Sequence, residues 1–216
     1  MKSPILFLYR GTFGLRAAKL AASDCSNARL IDLDAADMHP LIGECHEGKA
    51  VVFLSDASGV GVDALARAFR NTGVIWTPVY LYPTMLRIGP VQRATGVCYE
   101  CSTKRYLSNP GSKGLARLED FLRSGSSAAG MEFSGVIVTI AAMAAAEALR
   151  QIHDDSIPSG YIRKIDLVDH SMSAAVAMPL HGCNCSGEQN ADGDPGARFY
   201  RELANDLQGI IGSNVK

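Results

Sequence analysis

Two close cysteine pairs are the residues of this sequence whose types and spacing are best suited to chemistry. Cys98 and Cys101 form a C-x-x-C pair in the stretch GVCYECSTKR, and Cys183 and Cys185 form a C-x-C pair much later in the chain. A tetrahedral zinc site needs four soft or borderline ligands, which two short-range pairs can supply even when they lie far apart in sequence. The sequence therefore predicts one zinc site with these four cysteines as ligands.

Two other interpretations of the cysteines are weaker. A thioredoxin-like redox pair needs its C-x-x-C at the N-terminus of a helix after a strand, and it leaves the second pair without a role. Buried structural thiols usually occur singly among apolar residues, whereas these have polar neighbours such as Glu100 and Lys104. The irregular C-x-C spacing leaves His181 as an alternative fourth ligand to Cys183. The two remaining cysteines lack close partners and are interpreted as ordinary half-buried thiols: Cys25 and Cys45.

The composition indicates an ordinary globular protein. The 216 residues are 47% hydrophobic and 20% charged, which is sufficient for one well-filled core. A formal net charge of -1 argues against nucleic-acid binding, which needs clustered Lys and Arg. Six cysteines are too few for a disulfide scaffold in a chain of this length.

Two apolar segments bear on localisation. The N-terminal one is short, lacks a small-residue cleavage site and is followed by Arg10, so a secretory signal is not expected. The uncharged stretch over residues 133–146 is shorter than the ~20 residues that a bilayer requires, and five of its fourteen residues are alanine. It predicts a buried helix. We expect a cytoplasmic protein without a membrane segment.

The first part of the chain has the element order of a dinucleotide-binding unit. An apolar strand over residues 5–9 leads into Gly11 and Gly14, a helix, and a second strand that ends at Asp32. In a Rossmann unit the glycines allow the backbone to approach a phosphate, and the acid binds a ribose hydroxyl. Only two glycines of the G-x-G-x-x-G pattern are present. The pattern therefore predicts the fold better than it predicts a nucleotide, and the cofactor-binding residues stay unassigned.

The alternation of strands and helices continues along the chain. A strand over residues 49–56, a helix over 62–73 and a strand over 74–83 follow in order. This alternation predicts an α/β fold, with a Rossmann-like, mostly parallel sheet and helices on both faces.

The C-terminal part is predicted to bring the second cysteine pair to the first. Apolar and polar residues alternate on both sides of Asp169 and His170, which predicts a β-hairpin in a zinc-clasped C-terminal lobe. We expect residues 1–95 and 96–216 to be two halves of one domain. A helix over residues 198–211 carries an apolar stripe, which we expect to pack on its own core and not on a partner: Phe199, Leu203, Leu207 and Ile210.

Taken together, these motifs resemble the ThiF-like superfamily, the fold of ubiquitin- and sulfur-carrier-activating enzymes. The closer resemblance is to the degenerate members that act as cyclodehydratase partner proteins in thiazole/oxazole-modified microcin (TOMM) biosynthesis. It covers most of the chain from Ile5 to Cys185. The residues that carry it specifically are Gly89, Pro90, Cys98, Cys101, Arg105, Cys183 and Cys185.

The resemblance implies a scaffold protein in the biosynthesis of azole-modified peptides of the bacteriocin type. It implies a YcaO-type, ATP-dependent cyclodehydratase as a partner, with a flavin dehydrogenase as a further one. The precursor peptide would be reached through these partners, and leader recognition would lie in another chain or a fused partner. The resemblance also implies a homo-oligomer, with zinc in a structural role.

Departures from the activating enzymes imply that the chain has no catalytic residues of its own. Asp32, Asp34 and Asp56 are kept, but the Asn and Arg that follow the second strand are missing, and Ala57 stands where an Asn holds magnesium. Adenylation needs cationic stabilisation of pyrophosphate, so we do not expect a working ATP and magnesium site. An ATP-dependent adenylating enzyme, acting on a peptide or carrier-protein carboxylate, remains the alternative. A zinc-bearing Rossmann oxidoreductase is a third, and the broken glycine motif argues against it.

Overall fold

The computed structural model describes residues 5–35, 50–56, 62–70, 72–82, 84–93, 96–108, 133–153, 157–180, 183 and 185. In chain order the strands and helices are β1 (Ile5–Tyr9), α1 (Gly11–Ala22), β2 (Ala28–Asp32), β3 (Ala50–Asp56), α2 (Val62–Phe69), β4 (Ile75–Tyr82), β5 (Met85–Ile88), α3 (Tyr99–Ser108), α4 (Gly135–His153), β6 (Tyr161–Asp166) and β7 (Met172–Val176).

The strands form one seven-stranded sheet in the order β2-β1-β3-β4-β5-β6-β7. Strands β1 to β4 pair in parallel, which confirms the predicted Rossmann-like core. Strands β5, β6 and β7 then add to it with antiparallel pairing, which the local sequence pattern does not predict for β5. The reason is the short connection between β4 and β5. A parallel neighbour needs a crossover of a dozen or more residues, whereas a tight turn leaves only the antiparallel arrangement.

The predicted hairpin is present, but it is the end of the main sheet and not a separate lobe. Strands β6 and β7 are antiparallel, and β6 also pairs with β5. At the hairpin turn the carboxylate of Asp166 accepts hydrogen bonds from the backbone N–H groups of Val168 and Asp169, at 2.8 and 3.0 Å. His170 adopts a φ of 53°, in the left-handed region.

Helices cover both faces of the sheet, as predicted. On one face α1 and α4 pack on Phe7, Val52 and Val79. On the other face α2 and Tyr99 of α3 pack on Leu6 and Trp76. Successive side chains along each parallel strand therefore point alternately into two apolar cores, one on each face of the sheet. This is expected of strands that are buried on both sides.

The alanine-rich stretch is a helix that packs on the sheet and on α1. Its small side chains Ala141, Ala145 and Ala148 are buried and permit close approach to these neighbours. Its outer side keeps Val136 and Met143 exposed, each at 67%. Among the described residues no helix combines the length and apolar character needed to cross a membrane.

Three of the sequence-based predictions fall on residues outside the described part of the chain. These are the half-buried thiol at Cys45, the alternative ligand His181 and the helix over residues 198–211.

Candidate metal centre

The first cysteine pair lies at the N-terminus of α3. Cys98 directly precedes the helix, and its Sγ accepts a hydrogen bond from the backbone N–H of Cys101 at 3.5 Å. The helix is anchored to the sheet because the N–H of Tyr99 donates to the side chain of buried Gln92 at 2.9 Å. Gln92 in turn exchanges two backbone hydrogen bonds with Trp76. Both thiols are therefore held in a fixed position relative to the sheet.

The second pair arrives on the segment that follows β7. The N–H of Ala177 donates to the carbonyl of Gly160 at 2.9 Å, which is where the pairing beside β6 ends. The backbone N–H of Leu180 then donates to Sγ of Cys101 at 3.3 Å. The N–H of Cys183 donates to the carbonyl of Leu180 at 3.1 Å. The segment thus lies against α3 before its cysteines begin.

The four sulfur atoms form one cluster. All of them lie within 4.8 Å of one another. Sγ of Cys98 is 3.8 Å from Sγ of Cys183, and Sγ of Cys101 is 3.4 Å from Sγ of Cys185. Zn–S bonds of about 2.3 Å in a tetrahedron separate the sulfurs by about 3.8 Å. The cluster therefore has the size and the donor set of a zinc tetrathiolate, and the thiols are free of disulfides.

The thiols polarise one another even without a metal. A hydrogen bond from Cys185 lowers the pKa of Cys98 to about 5, although burial opposes this shift. Burial raises the pKa of Cys101 to about 11. The same bond to Cys98 is the largest cause of the raised pKa of Cys185. A metal ligand must be a thiolate, so the hydrogen bonds within the cluster favour the ionised form of Cys98 that such a site requires.

Two cations lie near the cluster. Arg70 and Lys104 both bind the carboxylate of Glu100, at 3.1 and 2.7 Å. The bond to Glu100 is the main cause of the raised pKa of Arg70, and the charges of Cys98 and Cys183 add to it. A zinc ion with four thiolates carries two negative charges. These cations are therefore placed to offset the charge that such a site would hold.

The position of the first pair meets one requirement of a redox dithiol, since Cys98 and Cys101 do lie at a helix N-terminus. The second pair distinguishes the two interpretations. Cys183 and Cys185 pack against Cys98 and Cys101 in the same small cluster. Four converging thiols match a closed structural metal site, which has no open coordination position for a substrate.

The glycine turn after β1 is used for packing. Gly11 has a φ of 67°, which a residue with a side chain rarely adopts. A Cβ at Gly14 would collide with the backbone carbonyl oxygen of Leu54 in β3. The second glycine is therefore required for the close contact between α1 and the sheet, which is one of the roles glycine has in Rossmann units.

The charged residues around this turn are engaged with one another. Nε of Arg10 lies 2.7 Å from the carboxylate of Asp34. The carboxylate of Asp32 accepts a hydrogen bond from the N–H of Asp34 at 2.9 Å. The hydroxyl of Tyr9 is also bonded to Asp32, and its pKa is raised by burial and by the charge of that acid. Asp32 and Asp34, which the sequence pattern suggests as remnants of a nucleotide site, thus bind neighbours within the chain.

Comparison with known proteins gives similarity at the level of the fold. No protein-family model matches the sequence. No curated protein matches it either. Among solved structures, the heterocyclase TruD superposes with a TM-score of 0.57 at 15% identity, over 88% of this chain and 28% of that one. The chain thus spans little more than a quarter of TruD.

Two further structures are similar over more of their own length. A chain of the E. coli microcin synthetase McbBCD complex with pro-MccB17 bound has a TM-score of 0.58 at 15% identity, over 86% of this chain and 72% of its own. The protein PaaA has a TM-score of 0.56 at 11% identity, over 82% and 73%. The chain therefore has the fold that these proteins share, as the ThiF-like resemblance of its motifs implied.

Proposed function

We propose that this protein is a non-catalytic, ThiF-like scaffold subunit in the biosynthesis of azole-modified peptides. The observation that carries the proposal is the four-thiol cluster, formed in the order C-x-x-C then C-x-C on the fold described above. The similar structures include a heterocyclase and a microcin synthetase complex, which supports this class of pathway.

The metal centre is proposed to hold one structural zinc ion through Cys98, Cys101, Cys183 and Cys185. The ion would supply a cross-link between α3 and the segment after β7. No bond to a substrate is needed for this role, because all four positions are taken by protein thiolates. The centre then serves assembly and not catalysis.

The lack of intrinsic activity is proposed from the turn after β1. Arg10, the cation beside this turn, is paired with Asp34. The guanidinium of Arg16 lies 5.7 Å from the ring centroid of Phe133. A site that transfers a nucleotidyl group needs cations aimed at the phosphates. Both arginines have partners within the chain, which supports a scaffold over an adenylating enzyme.

The proposed partners are a YcaO-type cyclodehydratase and a flavin dehydrogenase, through which the precursor peptide would be reached. One similar structure is a microcin synthetase complex with pro-MccB17 bound, which supports a peptide-modifying assembly. We also propose a homo-oligomer, supported by the exposed Val136, Met143 and Met172. The proposal also includes a cytoplasmic location. Residues 1–95 and 96–216 are proposed to be two halves of a single domain, since one sheet contains strands from both halves.

Pyrophosphate exchange tests the absence of adenylation. The protein is incubated with ATP, magnesium and a Cys/Ser/Thr-rich precursor peptide, first alone and then with a YcaO-type enzyme. We expect no exchange by the isolated chain, and peptide-dependent ATP turnover only when the partner is present. Exchange by the isolated chain that is lost in Asp56→Ala would establish the alternative, an adenylating enzyme. Partner turnover that does not change when this protein is added would contradict the scaffold role.

A further inference from the structure

Arg105 connects α3 to the segment that carries the second cysteine pair. Its Nε donates a hydrogen bond to the carbonyl of Met178 at 2.5 Å, and its Nη2 donates to the carbonyl of Pro179 at 2.6 Å. We infer that Arg105 is a positioning residue of the metal centre, which holds residues 178–180 so that Cys183 and Cys185 reach Cys98 and Cys101. The inference rests on the zinc site proposed above.

The geometry of α3 places the guanidinium on the same side as the first two thiols. Cys98, Cys101 and Arg105 are spaced i, i+3 and i+7, and residues at this spacing share one face of a helix. One helical face thus presents two thiols and, one turn further on, a planar fork of N–H donors. Arg is suited to this because its donors have fixed relative directions, whereas a Lys ammonium is a single point of charge.

The fork acts where strand pairing has ended. Ala177 makes the last backbone bond beside β6, to Gly160. The next two carbonyls, of Met178 and Pro179, both go to Arg105. Leu180 is then directed back to α3, where its N–H donates to Sγ of Cys101. Arg105 therefore holds the part of the chain that lies between the end of strand pairing and the cysteine cluster.

This arrangement fixes the path of the second half of the site independently of any ion. Without Arg105 the segment after Ala177 would keep the bond from the N–H of Leu180 to Cys101, the apolar packing of Leu180 and the contacts of the thiols themselves. A metal ion would then have to order the segment as it binds, and part of the binding free energy would be spent on that ordering. Loss of Arg105 should consequently weaken metal binding while leaving the four ligands unchanged.

Arg93 provides a matched control. Its Nε and Nη2 both donate to the carbonyl of Ile157, at 3.2 and 3.0 Å. Like Arg105, Arg93 therefore holds a distant segment by hydrogen bonds to a backbone carbonyl. The segment that it holds precedes β6 and contains no cysteine. Replacement of either arginine removes the same kind of clamp, but of the two only Arg105 binds the segment that carries Cys183 and Cys185.

The test compares Arg105→Lys and Arg93→Lys in the full-length protein. Zinc affinity is measured by competition with a chromophoric chelator, and the ligand set is read from the absorption spectrum of the cobalt(II) form. We expect Arg105→Lys to bind zinc about 10- to 100-fold more weakly, the range for residues that orient metal ligands, with an unchanged tetrathiolate spectrum. Arg93→Lys should stay within about twofold of the wild type. Equal losses in both variants, or no loss in Arg105→Lys, would overturn the inference.

A second measurement does not depend on metal. Amide hydrogen exchange in the metal-free protein should show Leu180 protected in the wild type and in Arg93→Lys, and unprotected in Arg105→Lys. Protection that is equal in all three proteins would also overturn the inference. A wild-type protein that binds no zinc would refute the metal site itself, whereas a failed partner assay would leave both the site and the role of Arg105 intact.

Discussion

The Sγ atoms of Cys98 and Cys183 lie 3.8 Å apart, although the two residues are separated by 85 positions in the chain. One belongs to the start of α3 and the other to the segment beyond β7. A metal ion at this point would join the helix that follows β5 to the segment that follows β7. Metal content, local stability and packing around this link can each be measured.

The first prediction is that the purified protein contains about one equivalent of zinc and that Cys98→Ser loses it. The thiol is buried, and its removal breaks a cross-link across 85 positions. Cross-links that close loops of this length contribute about 4–5 kcal/mol in the chain-entropy model. We expect the free energy of unfolding to fall by several kcal/mol, measured by urea denaturation together with elemental analysis.

Cys25→Ser is the matched control for that experiment. Cys25 is a half-buried free thiol whose Sγ donates to the carbonyl of Ala21 at 3.7 Å. Its replacement should leave the zinc content unchanged. A folded wild-type protein without metal would refute the prediction.

The second prediction concerns removal of the metal. Chelation should increase amide exchange in β7 more than in β1. All residues of β7 are exposed, and within the described part of the chain β6 is its one partner strand, whereas β1 is buried between β2 and β3. Mass spectrometry with and without a strong chelator measures the difference. Equal changes in both strands would show that the metal stabilises the whole fold uniformly.

The third prediction is that Gly14→Ala is destabilising while Gly135→Ala is not. A Cβ at Gly14 would meet the carbonyl oxygen of Leu54, and backbone cannot move aside cheaply. Overpacking of this kind typically costs about 1–3 kcal/mol. Gly135 is a helical residue, and a methyl group added there would have no neighbour within 4 Å. Alanine at that position should therefore be neutral or stabilising by up to about 1 kcal/mol. Thermal or urea unfolding of both variants measures the difference.

The fourth prediction tests self-association. Met143 is 67% exposed on α4, and Met143→Glu should weaken the proposed homo-oligomer because it places a charge on an apolar surface. Val168→Glu is the control, since Val168 is 65% exposed at the hairpin turn. Light scattering over a concentration series should show dissociation in the first variant only. A wild type that stays monomeric at high concentration would contradict the proposal.

The parallel core can be predicted from the sequence because its signals are local. The first apolar run predicts strand β1 at its observed bounds, and the alternation around Asp169 and His170 correctly predicts the hairpin. Spacing alone groups the four cysteines, and the structure brings them together. In each case the residue types and their spacing over a few positions are sufficient for the prediction.

Other features depend on contacts between distant segments, which no local pattern contains. The sequence pattern assigns Gly14 to a nucleotide turn, but its close neighbour is the backbone of Leu54, forty positions away in the chain. The role of Arg105 depends on where Met178 and Pro179 lie after the sheet has formed. A cation one turn beyond the C-x-x-C pair, on the same helical face, is the only local sign of it.

The topology of the sheet also determines when the four thiols can meet during synthesis. The first pair leaves the ribosome long before the second, and the second pair follows β7, the last of the described strands in chain order. A nascent chain can therefore present Cys98 and Cys101 to the cell for some time before Cys183 and Cys185 exist. Four-thiol coordination of a metal would therefore be complete only after β7 has been synthesised, because Cys183 and Cys185 follow that strand in the chain.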